Sequence, residues 1–204
     1  MNEWHNYHTN KQQQLLKPSY TLNFAVDYLL KKKSRLANYT AYDLGCGIGI
    51  DTLYMLKNGM QVTSIDIDPT VGAAIKQQVQ QLKLPDNFVK WQFQELSFET
   101  LSLHPTQIIN ACFSLPFCKP AYFSSCWGTI KNSLSSGGIF CGHLFGANDD
   151  WKCNPDMTFH PREQISELLQ GFDIILLDEE EYDRDDITGN SKHWHVFHIV
   201  ATKH

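Results

Sequence analysis

A glycine-rich turn carries the residues best suited to chemistry. Gly45, Gly47 and Gly49 follow a short apolar strand and precede a helical segment, the context in which backbone N–H groups can hold a nucleotide. Asp66 ends the next strand, about 20 residues further on, where a carboxylate can accept hydrogen bonds from ribose hydroxyls. The spacing therefore predicts a nucleoside-binding site.

The charge at this turn indicates which nucleoside it would bind. Asp43 stands just before the first glycine, and a carboxylate there would repel a pyrophosphate and attract an ammonium group. A dinucleotide fingerprint needs its third glycine at the position of Ile50, but here the glycine comes one place earlier. The ligand that fits is a nucleoside with an amino-acid tail and no phosphates, such as S-adenosylmethionine.

The ends of two later strands carry candidate residues for a second substrate, because open α/β sheets bind ligands at the carboxyl ends of their strands. His143 is a candidate general base or substrate contact, since an imidazole titrates near neutral pH. Ser114, Phe145 and Trp151 are candidate substrate contacts, and the two rings could also face a cationic sulfonium. The alternative for His143 is a hydrogen bond to a backbone carbonyl at the core edge, and the alternative for the rings is packing alone.

Two histidines near the end of the chain are the strongest metal candidates. His193 and His195 would point to one face of a strand, and two imidazoles on one face could bind a metal ion. The sequence has no carboxylate or cysteine at a compelling spacing beside them, and its cysteines form no C-x-x-C pair. We therefore expect no metal site.

Two motifs resemble those of the class I S-adenosylmethionine-dependent methyltransferases. Residues 43–49, Asp-Leu-Gly-Cys-Gly-Ile-Gly, are similar to the first motif of that family, and residues 64–69, Ser-Ile-Asp-Ile-Asp-Pro, are similar to the second. Residues 110–117, 142–146 and 193–198 resemble the tellurite-resistance-like, small-molecule branch. The resemblance implies an enzyme that transfers a methyl group from S-adenosylmethionine to a small-molecule acceptor.

The resemblance also implies which residues hold the cofactor. The first motif would hold the methionine part, Asp66 the ribose, and Ile67 would lie against the adenine. The family often places an acidic residue after the third strand to reach the adenine amine, and Gln92 and Phe93 align with that position. The implied cofactor contacts are Asp43, Gly45, Cys46, Gly47, Gly49, Asp66, Ile67, Gln92 and Phe93.

The elements that must position these residues alternate between strands and helices from Tyr39 onward, which predicts an α/β, doubly wound and largely parallel sheet. The last two predicted strands, Phe172–Leu177 and Trp194–Ala201, are joined by residues 178–192, which show no helical pattern. Such a connection favours an antiparallel hairpin at one edge. Its acidic residues indicate a solvated, self-repelling hairpin, and the alternative is a substrate lid. The family resemblance implies a Rossmann-like, seven-stranded sheet with an antiparallel last strand.

The chain divides near residue 38. Residues 1–38 contain an amphipathic helical pattern over 19–33 with lysines in its last turn, and we expect them to form an N-terminal helical cap. Residues 39–204 account for the remaining elements, and we expect them to form the S-adenosylmethionine-dependent methyltransferase domain.

Composition limits the class of protein and its partners. The chain has 204 residues, 42% of them hydrophobic, and a formal net charge of −5, so it can bury a core and is a poor default binder of nucleic acid. It shows neither an apolar run long enough to cross a bilayer nor a secretory signal, so we expect a cytoplasmic protein with no membrane partner. The expected partner is a small-molecule substrate, and the sequence leaves the oligomeric state open.

Two other functions stay open at this point. A nicotinamide-dependent oxidoreductase could use a doubly wound sheet, although Ile50 and Asp43 argue against that class. A non-catalytic relative could keep S-adenosylmethionine binding and lack turnover. Ligand selectivity separates the first alternative from a methyltransferase, and methyl transfer to an acceptor separates the second.

Overall fold

The computed structural model describes residues 17–82, 90–186 and 188–204. Its helices are α1 (Tyr20–Lys32), α2 (Ile50–Lys57), α3 (Pro69–Gln81), α4 (Pro120–Ser133) and α5 (Arg162–Leu168). Its strands are β1 (Thr40–Leu44), β2 (Gln61–Asp66), β3 (Trp91–Glu95), β4 (Thr106–Ala111), β5 (Leu134–Gly146), β6 (Phe159–His160), β7 (Phe172–Asp185) and β8 (Ser191–Lys203). Short 3₁₀ turns lie at Phe98–Thr100, Leu115–Phe117 and Asp150–Cys153.

One mixed sheet organises the described residues. Its strand order is β3-β2-β1-β4-β5-β8-β7, with β6 paired to the end of β5. Strands β3, β2, β1, β4 and β5 are parallel to their neighbours, whereas β8 is antiparallel to both β5 and β7. The predicted Rossmann-like, doubly wound sheet with an antiparallel last strand is confirmed, and the two-residue strand β6 adds an eighth strand.

Helices cover both faces of the sheet because its central strands are apolar on both sides. Ala41 packs into the cluster that holds buried residues of α1, α2 and α3, and its neighbour Tyr42 packs into the cluster that holds those of α4 and α5. This alternation places every second strand residue on the same face. The parallel strands end together at one edge, and the glycine turn leaves that edge between β1 and α2.

Helix α1 packs against β5 and β8, on the same face of the sheet as α2 and α3. Its buried face consists of Leu22, Ala25, Val26 and Leu29, which pack in one cluster with Ile139 and other residues of the central strands. The predicted amphipathic helix is therefore confirmed, and its last turn carries the expected lysines. The division into a cap and a domain stays a prediction, and residues 1–16 of that cap lie outside the described residues. No helix in the described ranges has the length and apolar character that a bilayer-spanning segment needs.

The β7–β8 hairpin extends further than the sequence predicted. We expected strands that stop at Leu177 and resume at Trp194, but β7 continues to Asp185 and β8 begins at Ser191. The predicted strand bounds are therefore too short, and most of the segment 178–192 belongs to the strands of the hairpin, with most of its acidic side chains exposed. The turn itself is confined to the few residues between the two strands.

Cross-strand pairs between carboxylates and imidazoles explain the longer hairpin. His195 Nε2 lies 3.0 Å from Glu179 Oε1, and His193 Nε2 lies 3.1 Å from Glu181 Oε2. His193 Nδ1 also lies 2.8 Å from Asp183 Oδ1, and these two carboxylates raise the pKa of His193. From sequence alone, a run of acidic residues has no visible partners. In the structure, the histidines of β8 supply them.

Candidate active site

The glycine turn is held close to two neighbouring elements. Gly45 N and Cys46 N both donate to the carbonyl of Ile65, at 2.8 and 3.0 Å, which fixes the turn to the end of β2. Gly45 has φ +65°, and a Cβ there would lie 2.4 Å from Cβ of Ser114. Gly49 has φ +82°, and a Cβ there would lie 2.6 Å from Ile75 Cγ1. Both positions need glycine for backbone conformation and for space.

Replacing Gly45 with Ala is expected to lower the free energy of unfolding by more than about 2 kcal/mol, since a left-handed conformation alone costs roughly 1–2 kcal/mol and the contact with Ser114 adds to it. Gly171→Ala is the matched control, because Gly171 has φ +85° and no described atom within 4 Å of the added Cβ. Denaturant melts of both variants measure the difference. Equal losses of stability would contradict the steric role of Gly45.

Asp66 lies at the carboxyl end of β2, directly under the glycine turn. Its Oδ2 accepts a hydrogen bond from Gly47 N at 2.9 Å, and its Oδ1 accepts one from Asp68 N at 3.0 Å. Each oxygen keeps a second lone pair for another donor. The next residue, Ile67, is apolar but 68% exposed. A carboxylate for hydroxyl groups and an apolar surface for a flat ring therefore stand side by side, as a bound nucleoside requires.

A buried acidic cluster lies beneath the turn and consists of Asp43, Asp51 and Asn110. Asn110 Nδ2 donates to Asp43 Oδ1 at 2.8 Å and to Asp51 Oδ2 at 2.9 Å, so one amide group serves two carboxyl groups. Thr52 Oγ1 donates to the other oxygen of Asp43 at 2.6 Å. Burial and the neighbouring Asp51 raise the pKa of Asp43 to about 7. The cluster contains two carboxyl groups and no positive charge of its own. The ammonium group of S-adenosylmethionine would provide that charge.

Sequence reasoning found Asp43 but missed the two residues that share its environment. Asp51 lies in the first turn of α2, and its Oδ1 accepts a hydrogen bond from Ser19 N at 2.7 Å, which joins the start of α1 to the acidic cluster. Asn110 is fully buried near the end of β4, after two isoleucines. A polar amide at the end of an apolar strand was the signal that could have identified it, because buried polar groups need partners.

The strand register corrects the predicted adenine contacts. Gln92 pairs with Thr63 inside the sheet, and its Nε2 donates to Thr63 Oγ1 at 2.8 Å. Phe93 lies against Gly72 of α3, where a Cβ on the glycine would come within 2.5 Å of the ring. The residue beside Asp66 at the carboxyl end of β3 is Glu95. Gln92 and Phe93 therefore lie further from this edge than the motif alignment implied, and Glu95 has the position expected of the acidic residue.

His143 lies beside the end of β4, under the ring of Phe113. The two rings are stacked at a centroid distance of 4.1 Å, and Phe113 N donates to His143 Nδ1 at 3.3 Å. Phe113 reaches this position with φ +50°, which is uncommon for a bulky residue. Burial, together with the nearby His198, lowers the pKa of His143 well below its ordinary value. His143 is therefore neutral near pH 7, with its proton on Nε2, and it suits the predicted role of substrate contact better than that of base.

The three predicted substrate contacts lie in different surroundings. Ser114 Oγ donates to the carbonyl of Leu44 at 2.6 Å and supports the glycine turn. Phe145 is buried, with its ring centroid 6.1 Å from that of Phe113, so it lies close to the His143 side of the site. The ring centroid of Trp151 lies 6.3 Å from that of Phe145 and 6.3 Å from that of Phe117. The structure thus brings Phe145 near His143, whereas Ser114 supports the glycine turn.

A buried ion pair, which sequence reasoning missed, stands behind Phe145. Lys192 Nζ lies 2.6 and 2.7 Å from the two carboxylate oxygens of Asp149, and both side chains are almost fully buried. Lys192 Nζ also faces three aromatic rings. Its distance to the ring centroid is 3.5 Å for Trp194, 4.4 Å for Trp151 and 5.2 Å for Phe145. Cation–π attraction and the carboxylate together hold this aromatic cluster in place.

Comparison with known proteins identifies the domain. A family model described as a methyltransferase domain matches residues 41–138, which run from β1 into β5 and include the glycine turn, Asp66 and Asn110. Residues 41–138 therefore form a methyltransferase domain, in agreement with the class I S-adenosylmethionine-dependent family that the motifs resemble. This match selects the methyltransferase over the nicotinamide-dependent oxidoreductase, and the predicted enzyme class is confirmed.

Solved structures share the fold of this methyltransferase at low sequence identity. TehB from Haemophilus influenzae has a TM-score of 0.74 at 17% identity, covering 98% of this chain and 67% of that one. Magnesium protoporphyrin IX methyltransferase (ChlM) from Synechocystis PCC 6803, with bound S-adenosylmethionine, has a TM-score of 0.65 at 14% identity, covering 90% and 78%. The Burkholderia thailandensis 1,6-didemethyltoxoflavin-N1-methyltransferase has a TM-score of 0.64 at 18% identity, covering 98% and 84%. Comparison with the curated proteins gives no match.

Proposed function

We propose that this methyltransferase transfers the methyl group of S-adenosylmethionine to a small-molecule acceptor at the carboxyl ends of β4 and β5. The observation that carries the proposal is the buried acidic cluster beneath the glycine turn, with Asp66 on the same edge. When bound, S-adenosylmethionine would supply a sulfonium methyl carbon that a nucleophile attacks in line with the carbon–sulfur bond, whose electron pair stays on the departing sulfur. Structural neighbours crystallised with this cofactor, or with its demethylated form and a small heterocycle, support the proposal.

Different residues of the chain would bind different parts of S-adenosylmethionine. Asp43 and the backbone of the glycine turn would hold the amino-acid tail, because the acidic cluster favours an ammonium group. Asp66 would accept hydrogen bonds from the ribose hydroxyls, with Ile67 against the adenine and Glu95 near its amine. Positioning the acceptor in line with the methyl group would supply much of the rate enhancement.

The acceptor side would be formed by Phe113, His143 and Phe145, which lie together beyond the acidic cluster. We propose that residues 1–38 act as a cap over this side, since Ser19, the N-cap residue of α1, donates a hydrogen bond to Asp51. We also propose a cytoplasmic enzyme that binds no nucleic acid. No disulfide joins any of its six cysteines, all within the described ranges, and its net charge is −5.

Replacing Asp66 with Ala is expected to weaken binding of S-adenosylhomocysteine by about 100-fold, since two hydrogen bonds to a charged group contribute roughly 1.5–3 kcal/mol each. Titration calorimetry measures the affinity, and a thermal shift with S-adenosylhomocysteine but not with NAD is expected for the unmodified protein. Asp173→Ala, at an exposed position on β7, is the control. Unchanged affinity in the Asp66 variant would overturn the pocket assignment.

Turnover is measured separately, with radiolabelled S-adenosylmethionine and a panel of thiols, phenols, amines and chalcogen oxyanions. Label is expected to appear in at least one small-molecule acceptor. Binding of S-adenosylhomocysteine without transfer to any member would favour the non-catalytic alternative.

A further inference from the structure

Two histidines stand side by side on the face of the sheet that carries the acidic cluster. Asp43 pairs with Asn110 across β1 and β4, and Asn110 pairs with Cys141 across β4 and β5, so all three side chains share that face. His143 lies two residues beyond Cys141, toward the carboxyl end, and pairs with His198 of β8. The two imidazoles therefore lie just past the proposed site of the methionine tail, where an acceptor must approach.

The two rings are in contact but have different environments. Their centroids are 4.9 Å apart with planes at 88°, and both side chains are buried, at 1% exposure for His143 and 9% for His198. His143 Nδ1 already accepts the N–H of Phe113, so the ring carries its proton on Nε2. His143 can thus donate a hydrogen bond toward the site, but its Nδ1 lone pair is occupied.

His198 has the complementary arrangement. The carboxylate of Glu180, on the neighbouring strand β7, lies with Oε2 3.3 Å from His198 Nε2, which favours a proton on that nitrogen. Neither ring nitrogen of His198 makes a hydrogen bond to any described residue, although both atoms are buried. Nδ1 is therefore a buried lone pair that the rest of the described chain leaves for a ligand, since an orphaned polar atom in the interior is costly.

Several other groups surround His198, but Glu180 is the carboxylate that lies within 4 Å of one of its ring nitrogens. Asp178 is its register partner on β7, the neutral His143 faces it from β5, and Tyr20 packs edge-on from α1 at 6.1 Å between ring centroids. The ring of Phe113 lies edge-on to His198, at 6.5 Å between ring centroids.

We propose that His198, oriented by Glu180, is the general base for the acceptor, and that His143 Nε2–H is the hydrogen-bond donor that positions it. The inference rests on the proposed function and specifies its substrate class, a neutral O–H, S–H or N–H acceptor that must lose a proton. His198 Nδ1 takes that proton as the heteroatom bonds to the methyl carbon, and the imidazolium that forms is paired with Glu180. The carbon–sulfur electron pair leaves with the cofactor, so charge and atoms balance.

Kinetics on an acceptor identified by the panel test the assignment. His198→Gln is expected to reduce kcat/KM by 10²- to 10⁴-fold, the usual range for a general base, and to remove the acidic limb of the pH profile. Glu180→Gln is expected to reduce it about tenfold, and the double variant should match His198→Gln, because the two groups act as a unit. His204→Gln is the matched control, since His204 forms a comparable but exposed pair with Asp173 on the same hairpin.

Nitrogen-15 NMR of the histidines in the full chain, saturated with S-adenosylhomocysteine, gives a readout that does not depend on turnover. Neutral His198 is expected to carry its proton on Nε2 and none on Nδ1, and Glu180→Gln is expected to populate the other tautomer. A proton on His198 Nδ1, or retained activity in His198→Gln, would overturn the inference. Failure of S-adenosylhomocysteine to bind would overturn the proposed function instead.

Discussion

Replacing Asp43 with Asn is expected to stabilise the cofactor-free protein at pH 8 and to abolish binding of S-adenosylhomocysteine. The folded state raises the pKa of Asp43 to about 7, whereas the unfolded chain releases this proton near pH 4. The folded protein therefore binds more protons between these values, and its free energy of unfolding falls as the pH rises through that window. At about 1.4 kcal/mol per pKa unit, a rise of about three units makes the penalty at pH 8 on the order of 4 kcal/mol.

The asparagine variant removes that penalty because it carries no charge at any pH. Its melting temperature is expected to exceed that of the unmodified protein by several degrees at pH 8 and by clearly less at pH 5, because most of the window between the two pKa values lies above pH 5 and only part of the penalty has accumulated there. Affinity of the unmodified protein for S-adenosylhomocysteine should rise from pH 6 to pH 8, since the carboxylate attracts the ammonium group. Calorimetry and melts at both pH values measure these effects.

Two results would contradict this account of Asp43. A stability change that is the same at pH 5 and pH 8 would show that titration of the carboxyl group is not its cause. Retained affinity for S-adenosylhomocysteine in the asparagine variant would show that the ammonium group binds elsewhere. Asp173→Asn is the control, because that carboxyl group is exposed on β7 and remote from the turn.

Replacing Asp149 with Ala is expected to lower the free energy of unfolding by about 3–5 kcal/mol, because it leaves the buried ammonium of Lys192 without its carboxylate. The same carboxylate accepts hydrogen bonds from Trp151 N at 3.0 Å and His195 N at 3.2 Å, and both donors would lose their partner. At roughly 2–4 °C per kcal/mol for a domain of this size, the melting temperature is expected to fall by about 10 °C.

A matched control exists on the surface. Lys119 and Asp156 form an ion pair at 3.5 Å with both side chains more than half exposed, so Asp156→Ala is expected to cost under about 1 kcal/mol. A combined Asp149→Leu and Lys192→Met variant should recover much of the stability, since apolar residues of similar volume often replace a buried ion pair without loss. If Asp149→Ala and Asp156→Ala have equal effects, the buried pair does not stabilise the hairpin.

The parts of the molecule that local spacing determines were predictable from sequence. The glycine turn, Asp66 at the end of the next strand and the alternation of strands with helices all depend on residues close in the chain. The same locality explains why the amphipathic pattern located α1 to within a residue or two. These features needed no knowledge of which strands are neighbours.

The features that were missed or misplaced all depend on strand register. The motif alignment placed the adenine contact at Gln92, but pairing of β2 with β3 puts Glu95 beside Asp66. Asp51 and Asn110 meet only because α2 and β4 converge on β1. The partners of the acidic residues of β7 become visible only when β8 lies against them. Long-range pairing, rather than residue type, was the missing information.

The reversed direction of β8 has a practical consequence for handling the protein. Lys203 pairs with Phe172, and Thr202 with Ile139, so the strand finishes at the amino ends of its parallel neighbours. A fluorescent reporter or surface-immobilisation linker fused after His204 would therefore emerge on the rim opposite the nucleoside crevice. Attachment there leaves ligand entry unobstructed in binding assays.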